Sequence, residues 1–248
     1  MQIIYGKNSV ETYLTFAPEK TKTLLLLQGL QEKTAQKFIK LAKAHNIPIK
    51  NINKQMLSQY VEADDVHQGI LAQVEDFAYA DLHTEIAKAQ KNTEKLPLFV
   101  VVDQLQDPRN LGAILRTADC VGIVDAIIIA KHDSVKVTAT VIKTSTGAAL
   151  QIPIIQVTNI KNALQTLKKA GVWICGLDMV GAANYRKQAY DLPLCVVIGG
   201  EDAGVRPIVK KETDFNVFIP MNSKVVNSLN VSVATSLLLY EVMHQRGN

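Results

Sequence analysis

The sequence predicts an α/β protein in which a mostly parallel sheet, covered by helices on both faces, follows a smaller α/β/α unit. Three observations carry that expectation. Strand-like and helix-like hydrophobic periods alternate along the chain. The pattern loosens into polar and small residues between Asp76 and Lys95, and the second half places unusual polar loops directly after apolar strands. At 248 residues the chain is too long for one average domain and comfortable for two.

Taken in order, Gln2 to Tyr5 reads as a short strand, a helix passes through Val10 and Leu14, and Thr23 to Gln28 is a buried strand. A helix from Glu32 to His45 carries Phe38, Ile39, Leu41 and Ala42 on its apolar side. Then come Ile47 to Ile52, a short helix near Met56 and a strand from Gly69 to Val74. Residues 77–95 read as a linker with a weak helix, since Lys91-Asn92-Thr93-Glu94-Lys95 runs polar into Pro97. The boundaries expected are therefore 1–76 and 96–248. In the second domain, strand Leu98 to Asp103, helix Leu111 to Val121, strand Val124 to Ala130 and a helical stretch near Val141 alternate. Strand Ile152 to Gln156, helix Ile160 to Ala170 and strands at Val172 to Leu177, Leu194 to Gly199 and Asn216 to Ile219 follow. A last helix runs from about Ser228 to Gln245. Strands separated by helices imply a parallel sheet with both faces covered.

Composition narrows the class. Hydrophobic content of 48% with 20% charged residues excludes disorder and fibrous repeats. The longest apolar runs, such as Leu24 to Leu27, fall far short of the roughly twenty residues that cross a bilayer, so no membrane span is expected. No signal-peptide pattern opens the chain, which reads as cytoplasmic. Cys120, Cys175 and Cys195 are far apart in apolar stretches and read as buried reduced thiols. No metal-ligand spacing occurs, and no metal is expected. The net charge is +4, yet residues 1–60 hold nine Lys, no Arg and three Glu, a local balance of +6. A lysine face that meets phosphates and an ordinary solvated lysine surface both fit that count.

In an open parallel sheet, ligands bind outside the carboxyl ends of the strands, so the loops there are read first. The loop after Asp103 runs Gln104-Leu105-Gln106-Asp107-Pro108-Arg109-Asn110-Leu111-Gly112 and continues to Arg116. Asp107 before Pro108 has the form of a helix N-cap followed by proline at the first helical position, an end that favours anions. Arg109 and Arg116 share a helical stripe, and planar guanidinium forks match phosphate oxygens. The alternative is that Arg116 merely pairs with Asp119 at i+3. The second loop, Gly199-Gly200-Glu201-Asp202-Ala203-Gly204, drives a fully apolar strand into two glycines and two acids. The third, Ile219-Pro220-Met221 through Ser228-Leu229-Asn230, ends at the last helix, which Ser228 is placed to cap, with Asn230 in the first turn. Beyond it, Val231, Val233, Leu237, Leu238, Leu239, Tyr240 and Val242 leave little polar surface, and a dimer interface is expected.

No dinucleotide-binding glycine fingerprint, phosphate-binding P-loop or serine-hydrolase elbow occurs. What the three loops do form is an ordered set. Residues 107–119 (D-P-R-N-L-G-A-I-L-R-T-A-D), 199–204 (G-G-E-D-A-G) and 219–232 (I-P-M…N-S-L-N-V-S) resemble the motifs of the SpoU/TrmH family of the SPOUT superfamily. These are RNA ribose 2′-O-methyltransferases. The resemblance covers residues 96–248. Ile4-Tyr5-Gly6 and Val66-His67-Gln68-Gly69-Ile70 resemble the L30e/L7Ae-like substrate-binding domain of the subgroup that methylates a guanosine of 23S rRNA.

The resemblance implies a SPOUT-type parallel sheet with a deep trefoil knot, a homodimer with active sites at the subunit interface, and S-adenosylmethionine as methyl donor. It implies that the donor lies against Leu177, Gly199, Gly200, Ile219, Met221, Ser228 and Leu229. Asn110, Arg116, Glu201, Ser228 and Asn230 match the family's catalytic and structural set, and Arg109 and Arg116 would meet RNA. Methyl transfer to a ribose hydroxyl is an in-line displacement, accelerated largely by alignment. The family assigns proton removal to the arginine matching Arg116. A guanidinium, with a pKa above about 12, suits phosphate binding and stabilisation of the forming alkoxide better.

Two positions depart from the pattern: Asn8 stands where related domains often have His, and Asp202 where Gly is frequent. Both bear on which RNA is bound rather than on the reaction. His67 fits either an RNA contact or a hydrogen-bonded structural residue. Two other functions fit the chain: methylation of tRNA, and RNA binding without catalysis.

Overall fold

The computed structural model describes residues 1–62, 65–178, 182–200, 204–223, 225 and 228–247. The chain begins β1 (Gln2–Tyr5), α1 (Lys7–Phe16), β2 (Thr21–Leu27), α2 (Glu32–Ala44), β3 (Ile49–Ile52), α3 (Lys54–Leu57) and β4 (Ile70–Val74). It continues with α4 (Leu82–Lys91), β5 (Leu98–Asp103), α5 (Pro108–Val121), β6 (Ala126–Ala130), α6 (Ala139–Thr144), β7 (Ile154–Val157) and α7 (Ile160–Lys169). The remaining elements are β8 (Trp173–Leu177), β9 (Ala183–Asn184), β10 (Leu194–Gly199), α8 (Pro207–Lys210), β11 (Phe215–Phe218) and α9 (Val231–Gln245). Two compact units result. Met1–Ala78 forms the first together with Val137–Leu150, and Tyr79–Lys136 with Gln151–Asn248 forms the second.

The first unit is built on a four-stranded sheet in the order β1-β4-β2-β3, in which only β2 and β3 run parallel. One face buries Leu25, Ile52 and Leu71 under Ile3, Met56, Leu57 and Tyr60. By the two-residue period of a strand, Leu24, Leu26 and Ala72 point the other way, where α1 packs on β4. The stretch from α6 to Leu150 belongs here because α6 packs on α1 with Val141 and Ile142 buried. Gly147 has φ 91, and a Cβ there would stand 2.8 Å from the Phe16 ring, so only a glycine admits this approach. The expected 96–248 stretch is thus interrupted by a segment whose contacts lie with the first unit.

The second unit carries a seven-stranded sheet in the order β7-β6-β5-β10-β8-β11-β9, every pair parallel. Its centre explains its sequence. All six residues of β5 and of β10 are buried, so neither strand alternates apolar with polar. Phe99, Val101, Ile128, Ile174, Cys195 and Val197 form one face of the core with Ile160, Leu164 and Leu167 of α7. On the other face α9 packs against β10 and α5 packs against α9. The segment 77–95, expected as a linker with a weak helix, holds α4 behind an Asp81 cap. Its Ile86 and Ala89 join the same core.

Other expectations change. Cys120 is exposed, because α5 buries Leu111, Ile114, Leu115, Ala118 and Val121 and position 120 falls off that stripe. Cys175 and Cys195 are buried, which pushes the Cys175 thiol up to about 12 and that of Cys195 up as well. β9 and α8 had no counterpart in the hydrophobic pattern, being two and four residues long. At the far end of α9, Arg246 is desolvated and its guanidinium donates to the carbonyls of Leu96, Tyr190 and Leu192 at 2.7–3.1 Å. That gathers the entries to β5 and β10. No described helix is long and apolar enough to cross a membrane.

Candidate active site at the carboxyl ends of the parallel strands

Three neighbouring strands, β10, β8 and β11, end at one cavity of about 660 Å³, within the range of small-molecule sites. Leu177 closes β8, Gly199 closes β10, and Ile219 follows β11. Gly200, Met221, Ser228 and Leu229 complete the set, so all seven positions expected against the donor line this one cavity. Ile198, Phe218, Val231 and Ala234 add apolar wall. Asp178 and Lys210 form an ion pair at its edge.

The helix that opens from the cavity differs from expectation. Asn230, not Ser228, caps α9, because its side-chain oxygen accepts from the backbone N–H groups of Ser232 at 2.9 Å and Val233 at 3.4 Å. Those are the donors that an α-helix leaves unsatisfied at its start. Ser228 lies two residues before the cap, exposed on the cavity wall. The Asn230 amide is used at both ends: its nitrogen donates to the Asn110 side-chain oxygen at 3.1 Å. Asn110 and Asn230, 120 residues apart in sequence, thereby join the heads of α5 and α9. Further along the same pair of helices, the hydroxyls of Thr117 and Ser236 share a hydrogen bond of 2.8 Å.

Helix α5 begins as its sequence indicates, with Asp107 accepting from the Arg109 backbone N–H at 2.7 Å and Pro108 at the first helical position. Arg109 and Arg116 are both exposed. Among the described residues Arg116 forms no ion pair with Asp119. Glu201, and Asp202 beside it, lie outside the described residues.

One pair went unread in the sequence. Asp103 ends β5 wholly buried, and Arg206 meets it with Nη2 to Oδ1 at 2.6 Å and Nε to Oδ1 at 2.9 Å. Hydrogen bonding to that carboxylate raises the Arg206 pKa above its ordinary value, against the opposing effect of partial burial. The signal was available: a lone carboxylate at the end of a strand of five apolar residues requires a cation. Arg206, just past the second glycine loop, is the one that reaches it.

An α/β unit with an all-parallel sheet and a cavity across its strand ends has the arrangement in which such folds bind small molecules. The family model for the SpoU rRNA methylase family matches residues 97–240. The model for RNA 2′-O ribose methyltransferase substrate binding matches residues 3–80. A TrmH family tRNA/rRNA methyltransferase of Bacillus subtilis, YacO, is 40% identical over 98% of this chain and 95% of its own length. Among solved structures, the SpoU methyltransferase AviRb from Streptomyces viridochromogenes aligns over 99% of this chain and 89% of its own, with TM-score 0.70 and 22% identity. An AdoMet-bound rRNA methyltransferase from Sinorhizobium meliloti aligns over 98% and 87%, with TM-score 0.68 and 23% identity. The chain belongs to the SpoU/TrmH family and is an RNA methyltransferase.

Proposed function

We propose that this protein transfers a methyl group from S-adenosylmethionine to a ribose 2′-hydroxyl in RNA, with a guanosine of 23S rRNA as the target. The observation that carries this reading is the convergence of seven positions from three separate loops on one cavity, beside a helix pair that the Asn110–Asn230 hydrogen bond joins. The cavity suits the donor: Leu177, Ile198, Phe218 and Ile219 offer apolar wall for a purine and a thioether chain, and Gly199 and Gly200 offer backbone without side chains. When bound, S-adenosylmethionine supplies an electrophilic methyl group on a sulfonium.

The chain's own residues do the rest. Arg116, exposed on α5, binds the phosphate beside the acceptor ribose and stabilises the oxyanion as the 2′-oxygen takes the methyl group and the hydroxyl proton passes to solvent water. Arg109, on the same stripe and also exposed, holds an adjoining phosphate. Asn110 and Asn230 fix the two helices so that this stripe keeps its bearing on the cavity. Ser228 presents its hydroxyl to the cavity wall. The first unit, rich in lysine, supplies RNA affinity.

A second copy of the chain completes the working form. Val233, Leu237 and Tyr240 are 47%, 38% and 48% exposed on one side of α9. These positions fall at helical spacing and form an apolar stripe that a homodimer would cover. The family's deep trefoil knot belongs to the same proposal.

The decisive experiment incubates the protein with labelled S-adenosylmethionine and separate rRNA and tRNA pools, then maps ribose methyls by mass. A methyl on a 23S guanosine ribose is expected. Label on tRNA alone would move the target, and no label on either RNA despite donor binding would leave RNA binding without catalysis.

A further inference from the structure

A wholly buried carboxylate persists only where a partner replaces its hydration. Asp103 has that partner in Arg206, and the pairing goes beyond two side chains. Arg206 donates through its guanidinium at 2.6–3.1 Å and through its own backbone N–H to Oδ2 at 3.1 Å. The last bond fixes the main chain at the point where the loop after β10 enters α8.

Close packing acts at the other end of that loop. A Cβ on Gly200 would stand 2.7 Å from the Gln104 carbonyl oxygen, and one on Gly199 would stand 1.9 Å from the Gly204 carbonyl carbon. Gln104, directly after Asp103, is held at φ 59, a left-handed conformation that side chains other than glycine seldom adopt. The turn after β5 and the described ends of the loop after β10 therefore form one joined body. Its surface includes Gly199, Gly200, Gly204 and Val205, which line the cavity, whereas Asp103 and Arg206 are not among the lining residues. Four residues beyond Asp103, Asp107 caps α5, the helix that carries Arg116.

We infer that Asp103 and Arg206 are a positioning pair, which holds the glycine wall of the cavity in the shape that accepts S-adenosylmethionine without touching the ligand. The inference rests on the donor proposed above. Arg206→Met keeps much of the side chain and removes every guanidinium donor. Arg206→Lys keeps the charge but replaces a planar fork by a single point donor, so it rescues only part of the geometry.

The test titrates S-adenosylmethionine into the full-length chain by calorimetry and records thermal unfolding of the same samples. Arg206→Met is expected to weaken donor binding about tenfold or more, with Arg206→Lys intermediate at an unchanged unfolding midpoint. A purely structural role would lower the midpoint and leave affinity at temperatures where the protein is folded as it was. Arg206→Met binding within about twofold of the parent overturns the inference and leaves the proposed function standing. A parent chain that binds no S-adenosylmethionine overturns both. Where Arg206→Met does not fold, Arg206→Lys decides alone: weaker binding supports the positioning role, and parental affinity ends it.

Discussion

The two units hold the side chains proposed for function in opposite ways. In the second, Asn230 is bound to Asn110 and to its own helix, Asp103 to Arg206, and Lys210 to Asp178. In the first, Lys33, Lys40, Lys43 and Lys50 are exposed and form no ion pair among the described residues. Lys22 and Lys37 do pair, with Glu75 and Glu11, but at exposed sites where such pairs contribute little. Methyl transfer depends on alignment, where a shift of about 1 Å is costly. Phosphate binding by lysine is a sum of similar contributions. Substitutions should act as a step in the second unit and as a slope in the first.

Arg116→Ala tests the step at its steepest. Turnover on RNA should fall by about 10² to 10³ with donor affinity unchanged, as measured by single-turnover methylation and calorimetry. Near-parental turnover of Arg116→Lys would deny the guanidinium any specific part. Leu237→Asp, which sets a charge on the apolar stripe of α9, should convert a dimer to a monomer in sedimentation velocity; an unchanged dimer would locate the interface elsewhere.

Asn230→Ala and Ser228→Ala separate cap from cavity. The first should cost about 1–2 kcal/mol of stability in urea unfolding, through the lost cap and the lost bond to Asn110. The second should stay within about 0.5 kcal/mol. Equal losses would return the cap to Ser228. The smallest effects belong to the first unit: Lys33→Ala, Lys40→Ala or Lys43→Ala should each weaken RNA binding modestly and lower the slope of log affinity against log salt by about one. Parental slopes in all three would make this lysine surface ordinary solvated surface.

Much of the second unit was legible because burial on both faces leaves a blunt record. Runs such as Leu98 to Val102 and Leu194 to Ile198 have no polar alternation, and the loops behind them hold the unusual residues. The α9 cap was misread for a specific reason. Ser228 and Asn230 are both good capping residues two positions apart, and only the backbone conformation selects between them. The placement of Val137–Leu150 depends on Phe16 and α1, contacts too distant in sequence for periodicity to carry. Cys120 could have been read correctly, since the apolar spacing of α5 already excludes it. Asp103 was visible as a solitary acid, but its partner depended on how the chain returns after β10.

Gly199 and Gly122 will part company under random mutagenesis. At Gly122, which ends α5 with φ 67, nothing lies within 4 Å of a Cβ, so asparagine, the residue that best shares that conformation, should survive selection there. At Gly199 the obstacle is backbone 1.9 Å away, which no side chain can evade by rotating. A library covering both codons should recover a short alphabet at 122 and a single letter at 199.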